Sequence, residues 1–212
     1  MGAPSLRVRI AVATAMLAAA TLSSADLIAY MLGGAKWSQP QAPYLINTAN
    51  LDLPDASVEA AVRAGADSWA QQSGAFQFVY AGQSSQATNT NDGINLVVFR
   101  NASSGSAIAT TYWWSSNSRI IDADIVFWDG AFRFFAGSSG CSGGFYIEDI
   151  AAHEFGHALG LGHSASASAT MYPSVSGCST QNRTLDGDDI AGVLALYPVL
   201  TVSAPSGFRI VP

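Results

Sequence analysis

His153-Glu154-Phe155-Gly156-His157-Ala158-Leu159-Gly160-Leu161-Gly162-His163 is the stretch around which the rest of the chain is organised. Written as a pattern, it is H-E-x-x-H-x-x-G-x-x-H. His153 and His157 stand four residues apart, so on a helix both project from one face and can grip a single cation. Glu154, beside the first of them, can reach a water held in the cation's open position. Gly160 can take a positive φ that a Cβ would resist, so the helix can stop there. The chain then folds back and brings in His163 as a third imidazole. Three neutral nitrogens and one water make the open tetrahedral zinc site of a hydrolase. Average residue usage would produce this pattern by chance on the order of once in 10^5 chains of this length. The chain has only 3 histidines, and all of them are in the motif, which weighs against a core helix with incidental histidines.

The 212 residues are enough for one domain with a substantial core. Hydrophobic residues make up 49% and charged residues 11%, and much of the apolar excess sits at the N-terminus. Arg7 and Arg9 precede an uncharged run from Ile10 to Leu22, followed by small residues. This order reads as a secretory signal peptide over residues 1–25, cut after Ala25 with Ser23 at the −3 position; Ala35 is a second candidate end. The apolar run is too short to span a bilayer, so the expectation is a secreted, extracellular protein without stable membrane association; the alternative is a signal anchor reaching Leu32, though Asp26 interrupts that run. Removing residues 1–25 takes away two arginines and no acid, so the formal charge moves from −6 to −8. Nothing basic clusters, and a nucleic-acid partner is not expected. Cys141 and Cys178 are the only cysteines. In an oxidising compartment they most simply form one disulfide, the alternative being two free thiols.

Outward from the motif, the pattern is α+β. Tyr44-Leu45-Ile46 reads as a short strand. A helix follows from Pro54 to Gly74, with Val58, Val62, Ala66 and Trp69 as its buried stripe. Phe76, Phe78 and Tyr80 alternate as a strand does, and residues 81–93 read as a surface loop. Ile94 to Phe99 is a nearly continuous apolar run, the mark of a strand buried on both faces. Two further strands are expected, over residues 107–114 and Ile120 to Trp128. In the second, Ile121, Ala123, Ile125 and Phe127 lie on one side and Asp122 and Asp124 on the other. The metal helix opens at Phe145 or Tyr146. A last helix begins around Asp186, Asp188 and Asp189 and ends at Pro198. The mature domain is expected over residues 36–198, and residues 199–212 form a short tail.

Three stretches resemble the matrixins, the matrix-metalloproteinase branch of the metzincin zinc endopeptidases. They are Ala151 through Ser164 (A-A-H-E-F-G-H-A-L-G-L-G-H-S), Met171-Tyr172-Pro173, and Leu185 to Tyr197 (L-D-G-D-D-I-A-G-V-L-A-L-Y). The resemblance covers roughly Trp37 to Tyr197. It implies a zincin-like catalytic domain with a twisted five-stranded mixed sheet, three helices and a cleft across the front. It also implies a turn at Met171 beneath the zinc. The chain departs from animal family members where a second, structural zinc takes histidines: the matching positions are Thr110 and Val126. One catalytic zinc is therefore expected. Calcium stays open, because the Gly-rich acidic loops that hold it are not recognisable.

The expected activity is that of a zinc endopeptidase acting as a monomer on protein or peptide substrates. His153, His157 and His163 hold the metal, and Glu154 is the general base that takes the water's proton and passes it to the leaving amine. Substrate would lie extended along an edge strand near Ile108 to Tyr112, with Ile108, Ala109 and Thr110 as binding positions, adding a strand through main-chain hydrogen bonds. Pro173, Ser174 and Val175 would wall the pocket for the residue after the cleaved bond. Two other readings stay open at this stage: a catalytically silent zinc-binding homologue, and a zinc hydrolase of non-peptide amides.

Overall fold

Strand β1 (Gln41–Ile46) turns Ala42, Tyr44 and Ile46 inward and leaves Gln41 and Pro43 exposed, the period of two that a half-buried strand requires. The computed structural model describes residues 29–199. After β1 come α1 (Asp55–Ser73), β2 (Gln77–Gln83), β3 (Leu96–Phe99), β4 (Ala109–Ser116) and β5 (Arg119–Phe127). Two short strands follow, β6 (Phe134–Phe135) and β7 (Phe145–Tyr146), then α2 (Ile147–Leu159), a 3₁₀ turn (Gln181–Arg183) and α3 (Gly187–Leu196). The signal segment expected over residues 1–25, and the tail beyond Val199, lie outside the described residues.

The five longer strands form one mixed sheet in the order β2-β1-β3-β5-β4. All neighbours are parallel except β4, which runs antiparallel to β5 and stands at the edge. This sheet and three α-helices are the α+β architecture expected of a metzincin catalytic domain. One face of the sheet packs on α1 and α2 through Tyr44, Phe78, Ile125 and Phe127. The stripe Val58, Val62, Ala66 and Trp69 is wholly buried against it. Gly65 lets α1 approach α2 closely: a Cβ there would lie 2.6 Å from Ala151 Cβ and 2.7 Å from Ala152 N. The Trp69 indole N–H donates to the Ala152 carbonyl at 2.9 Å, locking the two helices in register. On the opposite face Leu96, Val98, Val126 and Trp128 form a smaller apolar cluster.

Three local expectations change. A bulge between Trp114 and Ser115 resets the alternation of β5, so Ile120 is 3% exposed and Ile121 turns outward at 47%. β2 runs on to Gln83 through its pairing with Ile46, taking the first residues of the expected surface loop. Ile94 lies outside β3 and is exposed. The far side of β5 is not solvated either. Asp122 and Asp124 are completely buried, and the amides of Thr90, Asp92, Gly93 and Leu96 donate to their carboxylates. Cys141 and Cys178 are joined in a disulfide, which ties the loop before β7 to the segment after Pro173.

Candidate metal centre

Helix α2 buries Ile147, Ile150, Ala151, Phe155, Ala158 and Leu159 against the core, which leaves His153 and His157 on the half-buried side. It starts after Tyr146, which makes no side-chain capping bond, and Gly160 ends it with φ 113°, a conformation that favours glycine. A Cβ on Gly160 would also strike the Ala35 carbonyl. Beyond this stop the chain runs antiparallel to the N-terminal segment. Gly33 N–H donates to Gly160 O, Gly162 N–H donates to Met31 O, and Leu32 bridges Leu161. His163 therefore sits on a loop that is clamped from outside the motif.

The three imidazoles bring one ligand atom each to within 4.8 Å of one another. His153 Nδ1 lies 2.7 Å from Thr170 O and His157 Nδ1 lies 2.9 Å from Leu161 O. Carbonyls only accept, so these contacts assign the proton to Nδ1 in both rings and leave both Nε2 lone pairs free. The two Nε2 atoms face each other at 3.2 Å, a juxtaposition of lone pairs that a shared cation relieves. Burial, and then the charge of the neighbouring imidazole, hold His157 and His163 below the usual imidazole range. Neutral nitrogen donors of this kind, each steadied through its other ring nitrogen, fit zinc.

The turn at Met171 supports this set from below. Met171 is buried against Gly156, where any Cβ would collide with its sulfur. The carboxylate of Asp189, also buried, accepts the amides of Thr170 at 2.7 Å and Met171 at 3.0 Å. It also accepts Asp186 N–H at 2.8 Å, closing the capping box of α3. Ser164, next to His163, donates its amide to Met171 O and its hydroxyl to Asp188. The N-terminus of α3 thus holds the Thr170 carbonyl that orients His153. None of these acidic contacts stands out in the sequence, where Asp186, Asp188 and Asp189 read only as the start of a helix.

A cleft of about 400 Å³ runs past the three histidines. Ile108, Ala109 and Thr110, at the start of β4, line it, and so do Pro173, Ser174 and Val175. The Thr110 hydroxyl accepts the Trp128 indole N–H at 2.9 Å. Thr110 and Val126 are direct cross-strand partners, and Val126 is sealed in the outer apolar cluster. Glu154 lines the cleft and is only 6% exposed. Its Oε2 accepts a 2.6 Å hydrogen bond from the hydroxyl of Thr111. The sequence reading missed this residue, although period-two alternation from Ala109 through Trp113 turns Thr111 toward the helices.

A mixed sheet with an antiparallel edge strand, a helix carrying two histidines, a glycine stop and a third histidine over a methionine turn together define a metzincin-type catalytic domain. The matrixin family model matches residues 36–198. Matrix metalloproteinase-19 of Homo sapiens is 32% identical over 180 residues, which cover 79% of this chain and 31% of that protein. Metalloendoproteinase 1-MMP of Arabidopsis thaliana is 55% identical over 51 residues, 24% of this chain and 14% of that protein. Neutrophil collagenase of Homo sapiens is 52% identical over 48 residues, 23% of this chain and 10% of that protein. The chain belongs to the matrixin family of zinc-dependent endopeptidases, and its matches span less than a third of the length of these relatives.

Proposed function

We propose that this chain is a secreted, monomeric endopeptidase with one catalytic zinc, and that it hydrolyses peptide bonds in protein or peptide substrates. The observation that carries this reading is the meeting of His153 and His157 Nε2 at 3.2 Å beside the buried carboxylate of Glu154. Zinc, when bound, acts as a Lewis acid on the scissile carbonyl and brings the pKa of a water to about 7. His153, His157 and His163 would hold it, with Thr170 O and Leu161 O fixing two of the rings. Glu154 takes the proton from the attacking water and delivers it to the leaving amine. An extended substrate would lie along Ile108, Ala109 and Thr110 and bond the main-chain groups that β4 turns to its free edge, the Ile108 carbonyl itself being taken by the Trp128 amide at 3.0 Å. Recognition through main-chain groups tolerates many side chains, and Pro173 to Val175 bound the pocket for the residue after the cleaved bond.

Secretion follows from the signal-like residues 1–25 and agrees with the disulfide Cys141–Cys178. Among the described residues no helix is long and apolar enough to cross a membrane. The test is hydrolysis of casein or gelatin by the dialysed protein, with and without a zinc chelator, beside Glu154→Gln. The variant should keep one zinc per chain by elemental analysis and lose a factor of about 10² to 10⁴ in rate. Parent-level hydrolysis by the variant, or activity indifferent to the chelator, would overturn the reading.

A further inference from the structure

The carboxylate of Glu154 is held by a strand, not by its own helix. Strand β4 presents alternate side chains to α2, and Thr111 is the member of that row that lies beside Glu154. Its Oγ1 is 2.6 Å from Glu154 Oε2 and 3.0 Å from the main-chain oxygen of the same residue. A hydroxyl has one proton. The helix ladder already uses the Glu154 carbonyl, whereas the carboxylate oxygen is nearer and charged. A 2.6 Å contact falls in the range of a charge-assisted O–H···O⁻ bond. Thr111 therefore donates to Oε2. Oε1 accepts no hydrogen bond among the described residues, which leaves it as the oxygen open to the cleft.

We propose that Thr111 is a positioning residue for the reaction: its hydroxyl fixes the rotamer of Glu154, so that one carboxylate oxygen is tethered to β4 and the other is aimed at the attacking water. A glutamate side chain has three rotatable bonds, and a buried carboxylate free to swing would spend part of its time misaimed. The tether survives proton uptake. When Glu154 accepts a proton on Oε1, Oε2 remains an acceptor and Thr111 still donates to it, so the hydroxyl loses no proton during turnover. The arrangement also couples the base to substrate, because Thr111 belongs to the edge strand along which a substrate main chain would lie. Docking of substrate on β4 and aiming of the base thus share one rigid element.

The proposal rests on the peptidase reading, and the test separates the two. Thr111→Val replaces the hydroxyl by a methyl of nearly equal size, and Thr111→Ser restores the hydroxyl without the methyl. kcat and KM for a fluorogenic peptide are measured for both, with zinc content and circular dichroism recorded on the same samples. Misplacement of a catalytic group by about 1 Å costs up to about 10²-fold in rate. The expected result for Val is a kcat lower by a factor of about 10 to 10², with KM within about twofold and zinc unchanged. Ser should stay within about threefold of the parent kcat. If Thr111 served only to tie strand to helix, Val and Ser would differ in melting temperature but share the parent kcat, and the proposal would fall. If Val lost its zinc or fold, Thr111→Ala against Thr111→Ser supplies the same comparison without a branched methyl, and equal kcat in that pair would overturn it. A parent protein with no chelator-sensitive hydrolysis would instead overturn the peptidase reading itself.

Discussion

Replacing Asp189 by Ala should unseat the metal centre from a distance. The carboxylate is fully buried and accepts the amides of Thr170, Met171 and Asp186. Without it, the Thr170 and Met171 donors stay buried with no partner, at about 1–3 kcal/mol each. Loss of the reciprocal bond in the α3 capping box adds about 1 kcal/mol. The sum, roughly 3–7 kcal/mol, is a large part of the roughly 5–15 kcal/mol that holds a domain folded. Burial raises the Asp189 carboxyl above the usual range, so removing the charge returns some of this cost and favours the lower half of the span. Asp189→Asn keeps one acceptor but turns an amide NH₂ toward an N–H donor, so it should fall between parent and Ala. Urea unfolding followed by tryptophan fluorescence reads the effect as a shift in midpoint at constant slope. Zinc affinity should drop about 10- to 100-fold, because the Thr170 carbonyl that orients His153 is no longer held. An Ala variant within about 1 kcal/mol of the parent, with unchanged zinc affinity, would refute the reasoning.

Two further predictions concern the frame around the site. Gly65→Ala would ordinarily stabilise a helix by about 0.5–1 kcal/mol. Here the new Cβ would meet Ala152 N at 2.7 Å and Glu148 O at 2.8 Å, backbone atoms that cannot step aside. A loss of about 1–3 kcal/mol is expected, and a melting temperature at or above the parent's would contradict the close packing of α1 on α2. The other prediction concerns pH. Burial, helped by the charge of Asp122 and opposed by the amides of Thr90 and Leu96, pushes the Asp124 carboxyl up to about 7. The folded state then holds this proton where the unfolded chain has lost it. The contribution to stability is fully present below the unfolded value near 3.8 and is lost as pH rises through about 7. Asp124→Asn has no such titration, so the stability of the parent relative to the variant should decline between about pH 4 and about pH 7 in chemical denaturation. A gap that does not change with pH would end the idea.

What the sequence determined by itself is what acts over short distances along the chain. Two histidines at i and i+4 share a helix face whatever surrounds them, and Gly160 stops that helix because only a residue without a Cβ takes its φ of 113° without strain. The stripe from Val58 to Trp69 and the unbroken apolar run of β3 are local periodicities, so they too were legible. The resemblance to matrixins supplied the mixed sheet and the place of Met171, which spacing alone does not yield. Only the tertiary structure decided which polar groups meet. Thr111 reaches Glu154 across 43 positions of sequence, and Asp189 reaches back to the turn at Thr170 and Met171. Asp122 and Asp124 looked like a polar strand face, yet the loop before β3 folds over them and gives backbone amides to both oxygens of Asp124 and to Oδ2 of Asp122. A lone threonine or aspartate carries no sign of its partner, because its hydrogen bonds depend on where the sheet, the bulge at Trp114 and the ends of the helices bring distant backbone into reach.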